Sequence, residues 1–177
     1  GFEPNRLFSI YNGLDFSHVV PKTDRAAYFA QFGYTVHEGD VIAGIAARLD
    51  PVKDIPTLIR AVALAQKACP QLRLAIAGEG MERKKLEALA AELGIADSVF
   101  FLGWVNDLDS FYGALDINTL SSVSEAFPYA LPEGARAHLA TVASNVGGVP
   151  AIIEHGVTGL LIEPGDVRML AAYLARF

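Results

Sequence analysis

From Asp40 onward, short β-rich apolar runs alternate with helical patterns, and this alternation limits the possible folds more than any other feature of the chain. Val41–Ala47 (VIAGIAA) is an apolar run of strand length, and Asp54 after it is placed to cap a helix carrying Leu58, Ile59, Val62 and Ala65 at helical spacing. Leu72–Ala77 predicts the next strand. It turns at Gly78-Glu79-Gly80 into a helix with Leu86, Leu89, Ala90 and Leu93 on one face and Gly94 at its end. Further strands are expected at Val99–Leu102, Ile117–Leu120, Thr141–Ser144 and Leu160–Ile162. The intervening helices are expected at Leu108–Tyr112, from near Pro128 through Glu133, at Ala151–Glu154 and from Val167. Strands buried on both faces read as continuous apolar runs. The pattern therefore predicts an α/β domain, a doubly wound parallel sheet with helices on both faces. Such sheets bind ligands outside the carboxyl ends of their strands, so functional residues are expected just after strands.

Residues 1–39 differ in character. Ile10–Asp15 (IYNGLD) reads as a turn and Asp24–Phe32 as a short aromatic-rich helix ended by Gly33, a lead-in packed on the domain formed by residues 40–177. Starting at Gly1 without an initiator Met, and ending at Phe177 about three turns into a helix, the chain reads as a piece of a longer protein. Over 177 residues, 52% apolar and 19% charged composition is enough for one sizeable core. A net charge of −6 with no run of Lys or Arg argues against nucleic acid or an anionic membrane as the main partner. Cys69 is the only cysteine, which excludes an internal disulfide and points to a reducing, cytoplasmic compartment. No apolar run reaches membrane-spanning length, and the first residues lack the basic-then-apolar form of a secretory leader.

Four short motifs carry chemistry. Arg48 and Lys53 follow the first strand and flank Asp50-Pro51 near the start of the next helix, where two cations suit a phosphate or diphosphate; read alone, they are equally well explained as solvated loop charges. Gly78-Glu79-Gly80 could cradle phosphate, but the strand-to-helix turn requires such residues anyway, and no Gly-x-Gly-x-x-Gly follows the first strand. Asp107-Leu108-Asp109 has the Asp-x-Asp form that holds a divalent metal in one class of sugar transferase. At the start of a helix, capping by Asn106 or Asp107 is the better explanation. His18, His37, His138, His155 and Cys69 lack ligand spacing and read as structural, so no metal site is expected. The fourth motif, SEAFPYALPE, follows the fourth strand and sets Glu125 ahead of a helix and Glu133 inside it. At the helical rise they lie roughly 10 Å apart, too far to share a proton, yet suited to two hydroxyl-bearing ends of one ligand with an anion between them. Two solvated glutamates explain the pair equally well when it is read alone.

These residues resemble the Glu-x7-Glu motif of the family-four retaining GT-B glycosyltransferases (glycosyl transferase group 1). The similarity extends along nearly the whole chain: IYNGLD resembles the family's inter-domain turn and ARLDPVKD its loop after the first strand. IAGEGMERKKLEALAAELGI, FFLGWVNDLDSFYGALD, ASNVGGVPAII and GVTGLLIEPGD follow in the family's order and spacing. The resemblance implies a Rossmann-like, donor-binding C-terminal half of a two-domain GT-B enzyme, with the acceptor-binding N-terminal domain absent from this chain. It implies that Arg48 and Lys53 hold the donor diphosphate, Glu125 the sugar hydroxyls and Glu133 the ribose hydroxyls. The backbone of Phe127, Pro128 and Tyr129 would approach the β-phosphate and sugar, and that of Trp104 and Val105 the base. Arg48, Lys53 and Glu125 would be the residues closest to catalysis. No cofactor or metal is implied. The donor would be a UDP- or GDP-sugar, and the partners would be the protein's own N-terminal domain and a glycan, lipid or small-molecule acceptor. The full-length enzyme could lie at the inner membrane face.

Five positions depart from the pattern. Ala126 follows the first glutamate in place of Gly, Pro132 falls inside the expected helix and should cost it a hydrogen bond, His138 and Ala140 replace Gly and Pro, and Ala151 replaces a common Glu. A non-catalytic nucleotide-sugar-binding module and a GT-B sugar-nucleotide epimerase are the competing readings. An NAD-dependent oxidoreductase is disfavoured by the missing glycine fingerprint.

Overall fold

The computed structural model describes residues 12–176. The first two residues of the expected IYNGLD turn, Ile10 and Tyr11, lie outside them; Asn12–Asp15 is irregular chain. Helix α1 (Arg25–Ala30) is capped by Asp24, whose side chain accepts from the Ala27 amide. Six strands follow, β1 (Val41–Ala46), β2 (Leu72–Ala77), β3 (Val99–Gly103), β4 (Ile117–Leu120), β5 (Ala140–Ser144) and β6 (Leu160–Ile162). Between and after them run α2 (Ile55–Ala65), α3 (Arg83–Glu92), α4 (Leu108–Gly113), α5 (Ala130–Arg136) and α6 (Val167–Leu174).

All strand pairs are parallel and the sheet order is β3-β2-β1-β4-β5-β6. The chain winds outward from β1 to β3, then returns to place β4 on the other side of β1. The carboxyl ends of β1 and β4 therefore flank a topological switch point, where this architecture leaves a crevice. Alternate side chains of β1 and β2 feed the two larger of three cores. Ala43, Ile45, Leu72, Leu74 and Ile76 pack with α2, α3 and α6 on one face, while Ile42, Ala75 and Ala77 pack with Phe29, Phe111 and Tyr112 on the other. A Cβ on Gly44 would lie 2.3 Å from the Leu115 side chain, which would have to shift to admit it.

Three local expectations are corrected. Asp54 occupies the N-cap position of α2 but makes no side-chain cap, because its backbone is in the left-handed region at φ 41. A single 3₁₀ turn at Val149–Ala151 replaces the helix expected at Ala151–Glu154. Helix α5 begins at Ala130 rather than near Pro128, which puts Pro132 in its first turn, where amides lack intrahelical acceptors, so the expected loss of a hydrogen bond does not arise. The His138 departure acquires a physical meaning. With φ 57 it is the left-handed residue after α5, and its amide and that of Leu139 return to the carbonyls of Ala135 and Gly134 at 3.0 Å each. This is a Schellman ending, where glycine is the usual choice.

Candidate functional site

A cleft of about 290 Å³ opens at the switch point. Ala46–Arg48 and Lys53 line it after β1, Ala77–Glu79 after β2, Trp104, Val105 and Leu108 after β3, Leu120 at the end of β4, and Pro128–Ala130 with Glu133 at α5. Seven of the nine residues singled out from sequence, Arg48, Lys53, Trp104, Val105, Pro128, Tyr129 and Glu133, thus share one cleft. Glu125 and Phe127 are not part of its lining. Glu125 reaches it through Lys53, and Phe127 packs edge-on against Tyr129.

The β1 and β4 loops are stapled together. Lys53 Nζ donates to Glu125 Oε1 at 2.7 Å, and Ser122 Oγ donates to the same oxygen at 2.6 Å. Ser121 Oγ donates to the Lys53 carbonyl at 2.8 Å, and the Val123 amide to the Val52 carbonyl at 2.9 Å. The ion pair is well shielded, with side-chain exposures of 19% for Lys53 and 9% for Glu125. The sequence alone suggests two open cations in this loop, but Lys53 has a carboxylate partner. Arg48 is the open one, 80% exposed and 3.2 Å from Asp50. Beneath the loop after β4 lie Gly147 and Gly148. A Cβ on Gly147 would fall 1.7 Å from the Glu125 carbonyl oxygen, and one on Gly148 2.0 Å from that of Ala126. Backbone packs directly on backbone there, and Gly148 donates its amide to the Glu125 carbonyl at 3.2 Å.

On the other side of the cleft, Tyr112 Oη donates to Glu133 Oε2 at 2.9 Å. Tyr112 is wholly buried on α4, and burial together with the adjacent carboxylate pushes its hydroxyl well above the usual tyrosine range. One helical turn away along both helices, Arg136 pairs with Asp109. The first aspartate of the Asp-x-Asp motif caps α4, with Oδ1 accepting from the Ser110 amide at 3.0 Å and Oδ2 from its hydroxyl at 2.6 Å. Those two bonds hold the Asp107 carboxyl below its ordinary value. Both aspartates are thereby explained by helix ends and helix pairing. Among the described residues no group of three or more His, Cys, Asp or Glu could hold a metal ion.

The Gly78-Glu79-Gly80 turn is held by close approach. A Cβ on Gly78 would lie 1.9 Å from the Ala47 carbonyl oxygen and one on Gly80 2.3 Å from that of Leu49. The Gly78 amide is already donated to the Gly103 carbonyl at 2.7 Å. Opposite, Trp104 is 72% exposed and ties its indole N–H to Asn106 Oδ1 at 2.9 Å, forming an open apolar wall. Sequence reasoning missed Ser121, Ser122, Tyr112 and the bracing role of Gly147 and Gly148. Ser122 had a local signal in its three-residue spacing from Glu125; Tyr112 is separated from its partner by 21 residues.

A doubly wound sheet with such a cleft over its switch point is an α/β domain that takes its ligand at the carboxyl edge. Residues 29–177 match the family described as glycosyl transferases group 1, and the chain belongs to that family. It is 31% identical, over 99% of its length and 41% of the relative, to a D-inositol 3-phosphate glycosyltransferase of Streptomyces scabiei. Anabaena HepE, solved in complex with UDP and glucose, superposes with a TM-score of 0.82 at 30% identity, covering 94% of this chain and 46% of that one. The C-terminal domain of a group 1 family protein from Francisella tularensis superposes at 0.79 with 26% identity, covering 93% and 87% of the two chains. The fold is thus that of one half of a GT-B glycosyltransferase. The chain spans about two fifths of the length of the curated relatives it matches. No helix among the described residues is long and apolar enough to cross a membrane.

Proposed function

We propose that this chain is the donor-binding half of a glycosyltransferase. It binds a nucleotide-diphosphate sugar for metal-independent, anomer-retaining transfer to an acceptor held by an N-terminal domain. The observation that carries the reading is the placing of Arg48, Lys53 and Glu133 around one cleft, with the first turn of α5 between them. Arg48 and Lys53 face the diphosphate, the Trp104–Val105 wall takes the base, Glu133 accepts from the ribose hydroxyls, and Glu125 reads the sugar from the Lys53 side. During transfer, negative charge grows on the departing diphosphate. The two cations and the start of a helix stabilise that charge. Lys53 then divides its three N–H donors between Glu125 and the diphosphate, which links sugar recognition to the leaving group. Transfer itself needs donor and acceptor held together, so the isolated chain binds donor and transfers nothing.

Calorimetric titration of UDP and UDP-glucose against Glu133→Ala and Glu125→Gln tests the assignment. Glu133→Ala should weaken both ligands by one to two decades, the worth of a hydrogen bond to a charged group. Glu125→Gln should weaken only the sugar conjugate. A chelator should change neither ligand. Small, equal changes in all combinations, or chelator-sensitive binding, would refute the proposal.

A further inference from the structure

A glutamate on a short helix at a cleft rim ordinarily turns into water, and a carboxylate that turns cannot discriminate among hydroxyl groups. Here Glu133 is held from below. Tyr112 is wholly buried, rises from α4 through the core and donates its hydroxyl hydrogen to Oε2 at 2.9 Å. The Asp109–Arg136 pair repeats the contact three residues along each helix, so α4 and α5 are joined at two successive rungs. The first rung fixes the carboxylate and the second fixes the helix that carries it. Oε1 has no hydrogen-bond partner among the described residues and is the oxygen left for a ligand.

We propose that Tyr112 is a positioning residue that makes this cleft selective for ribonucleotides over nucleotides that lack the ribose 2′- and 3′-hydroxyls. The inference rests on the reading that Glu133 receives the ribose. With Oε2 already occupied, the carboxylate plane is set and Oε1 presents a fixed acceptor to the sugar diol. A ligand lacking those hydroxyls dries the cleft but leaves Oε1 unpaired, and a site built to hydrogen-bond a hydroxyl rejects the analogue without it more strongly than a flexible one does. The tyrosine hydroxyl is a dependable donor because burial and the neighbouring carboxylate both keep it protonated. A serine or lysine at the same rim would have competing water.

The test measures binding of UDP and of 2′,3′-dideoxy-UDP, with the guanine pair run alongside, to wild type, Tyr112→Phe, Glu133→Gln and the double variant. Thermal melting confirms that each variant is folded. Tyr112→Phe should weaken the ribonucleotide about ten-fold and the dideoxy ligand less than two-fold, and in the Glu133→Gln background it should change neither. If Tyr112→Phe weakens both ligands equally, or acts as strongly in the double variant as alone, Tyr112 serves packing only and the inference fails while the ribose reading stands. If Glu133→Gln leaves the ribo-to-dideoxy ratio unchanged, or wild type binds none of the four ligands, the ribose reading itself fails and takes the inference with it.

Discussion

The two edges of the sheet treat their charges in opposite ways. At the amino edge, Asp116 accepts from Arg25 at 2.7 and 3.1 Å and from the Ile42 amide at 2.9 Å. Asp40 forms an ion pair with Arg73 through Oδ1 at 2.9 Å and accepts from the His37 amide through Oδ2 at 2.8 Å. Every carboxylate oxygen of this pair of aspartates is occupied by protein. At the carboxyl edge, among the described residues, Glu133 and Glu125 each have protein partners on a single oxygen, Arg48 stands mostly in water, and the buried Tyr28 hydroxyl beside Trp104 and Asp107 has no partner. Satisfied charges tie strand beginnings together; half-satisfied ones at a switch point are available to a ligand. The contrast separates stability from binding, and it makes predictions that differ by edge.

The largest effect is expected at the amino edge. Asp40→Ala leaves Arg73, itself 19% exposed, without its acid, a loss of about 3–5 kcal/mol for a shielded pair and a melting point lower by about ten degrees. UDP affinity of the folded protein should not change; a calorimetric loss beyond two-fold would break the division between edges.

Next in size is an alkaline effect at the other edge. Burial first, and Asp107 second, push the Tyr28 hydroxyl up to about 12. The fold therefore favours the protonated form over the unfolded chain, whose value is near 10. That contribution is whole below about pH 10 and is lost as pH rises toward 12, in total about 2–3 kcal/mol. Tyr28→Phe should flatten this part of the stability profile and, by removing an unpartnered buried hydroxyl, should not destabilise the protein at pH 7. Denaturant melts at pH 8 and pH 11 measure both, and a Tyr28→Phe protein as alkali-sensitive as wild type would contradict the assignment.

Arg48→Ala should weaken UDP about ten-fold at low ionic strength and less as salt is added, with no shift in melting temperature. A drop in stability would mean that Arg48 braces the fold in the manner of Arg73. The smallest effect belongs to His138, held in the left-handed region at φ 57. His138→Gly should stabilise the chain by at most about 1 kcal/mol, since relief of backbone strain is offset by greater unfolded-state freedom, and ligand affinity should be untouched.

Much of the scaffold was legible because it follows periodicity. Strands β2, β4 and β6 match their expected residues, and the alternation of elements led directly to the parallel sheet. Local chemistry misled at three places. Pro128 reads as a helix start, yet α5 begins two residues later, and Asp54 reads as a cap but sits in a backbone conformation that turns its side chain away from that role. A single 3₁₀ turn at Val149–Ala151 stands where a short helix was expected at Ala151–Glu154. At the site, residue types and their order after strands could be read, but pairing could not. Lys53 and Glu125 are 72 residues apart, and nothing in either loop alone indicates that they neutralise each other. The bracing by Gly147 and Gly148 is equally a property of two segments meeting.

The Lys53–Glu125 pair has a consequence in time. Under the proposed function, a departing diphosphate would leave the Lys53 ammonium 2.7 Å from a standing acceptor rather than in a vacated anion site that only water could fill. The staple between the β1 and β4 loops stays made throughout, through Ser121 and Val123. Readying the cleft for its next occupant then requires rotations of one lysine side chain, motions of nanosecond scale, and no refolding of a loop, which would take microseconds or longer. On this reading the donor half is always prepared, and the pace of successive reactions is set by the product's escape and by the domain that brings the acceptor.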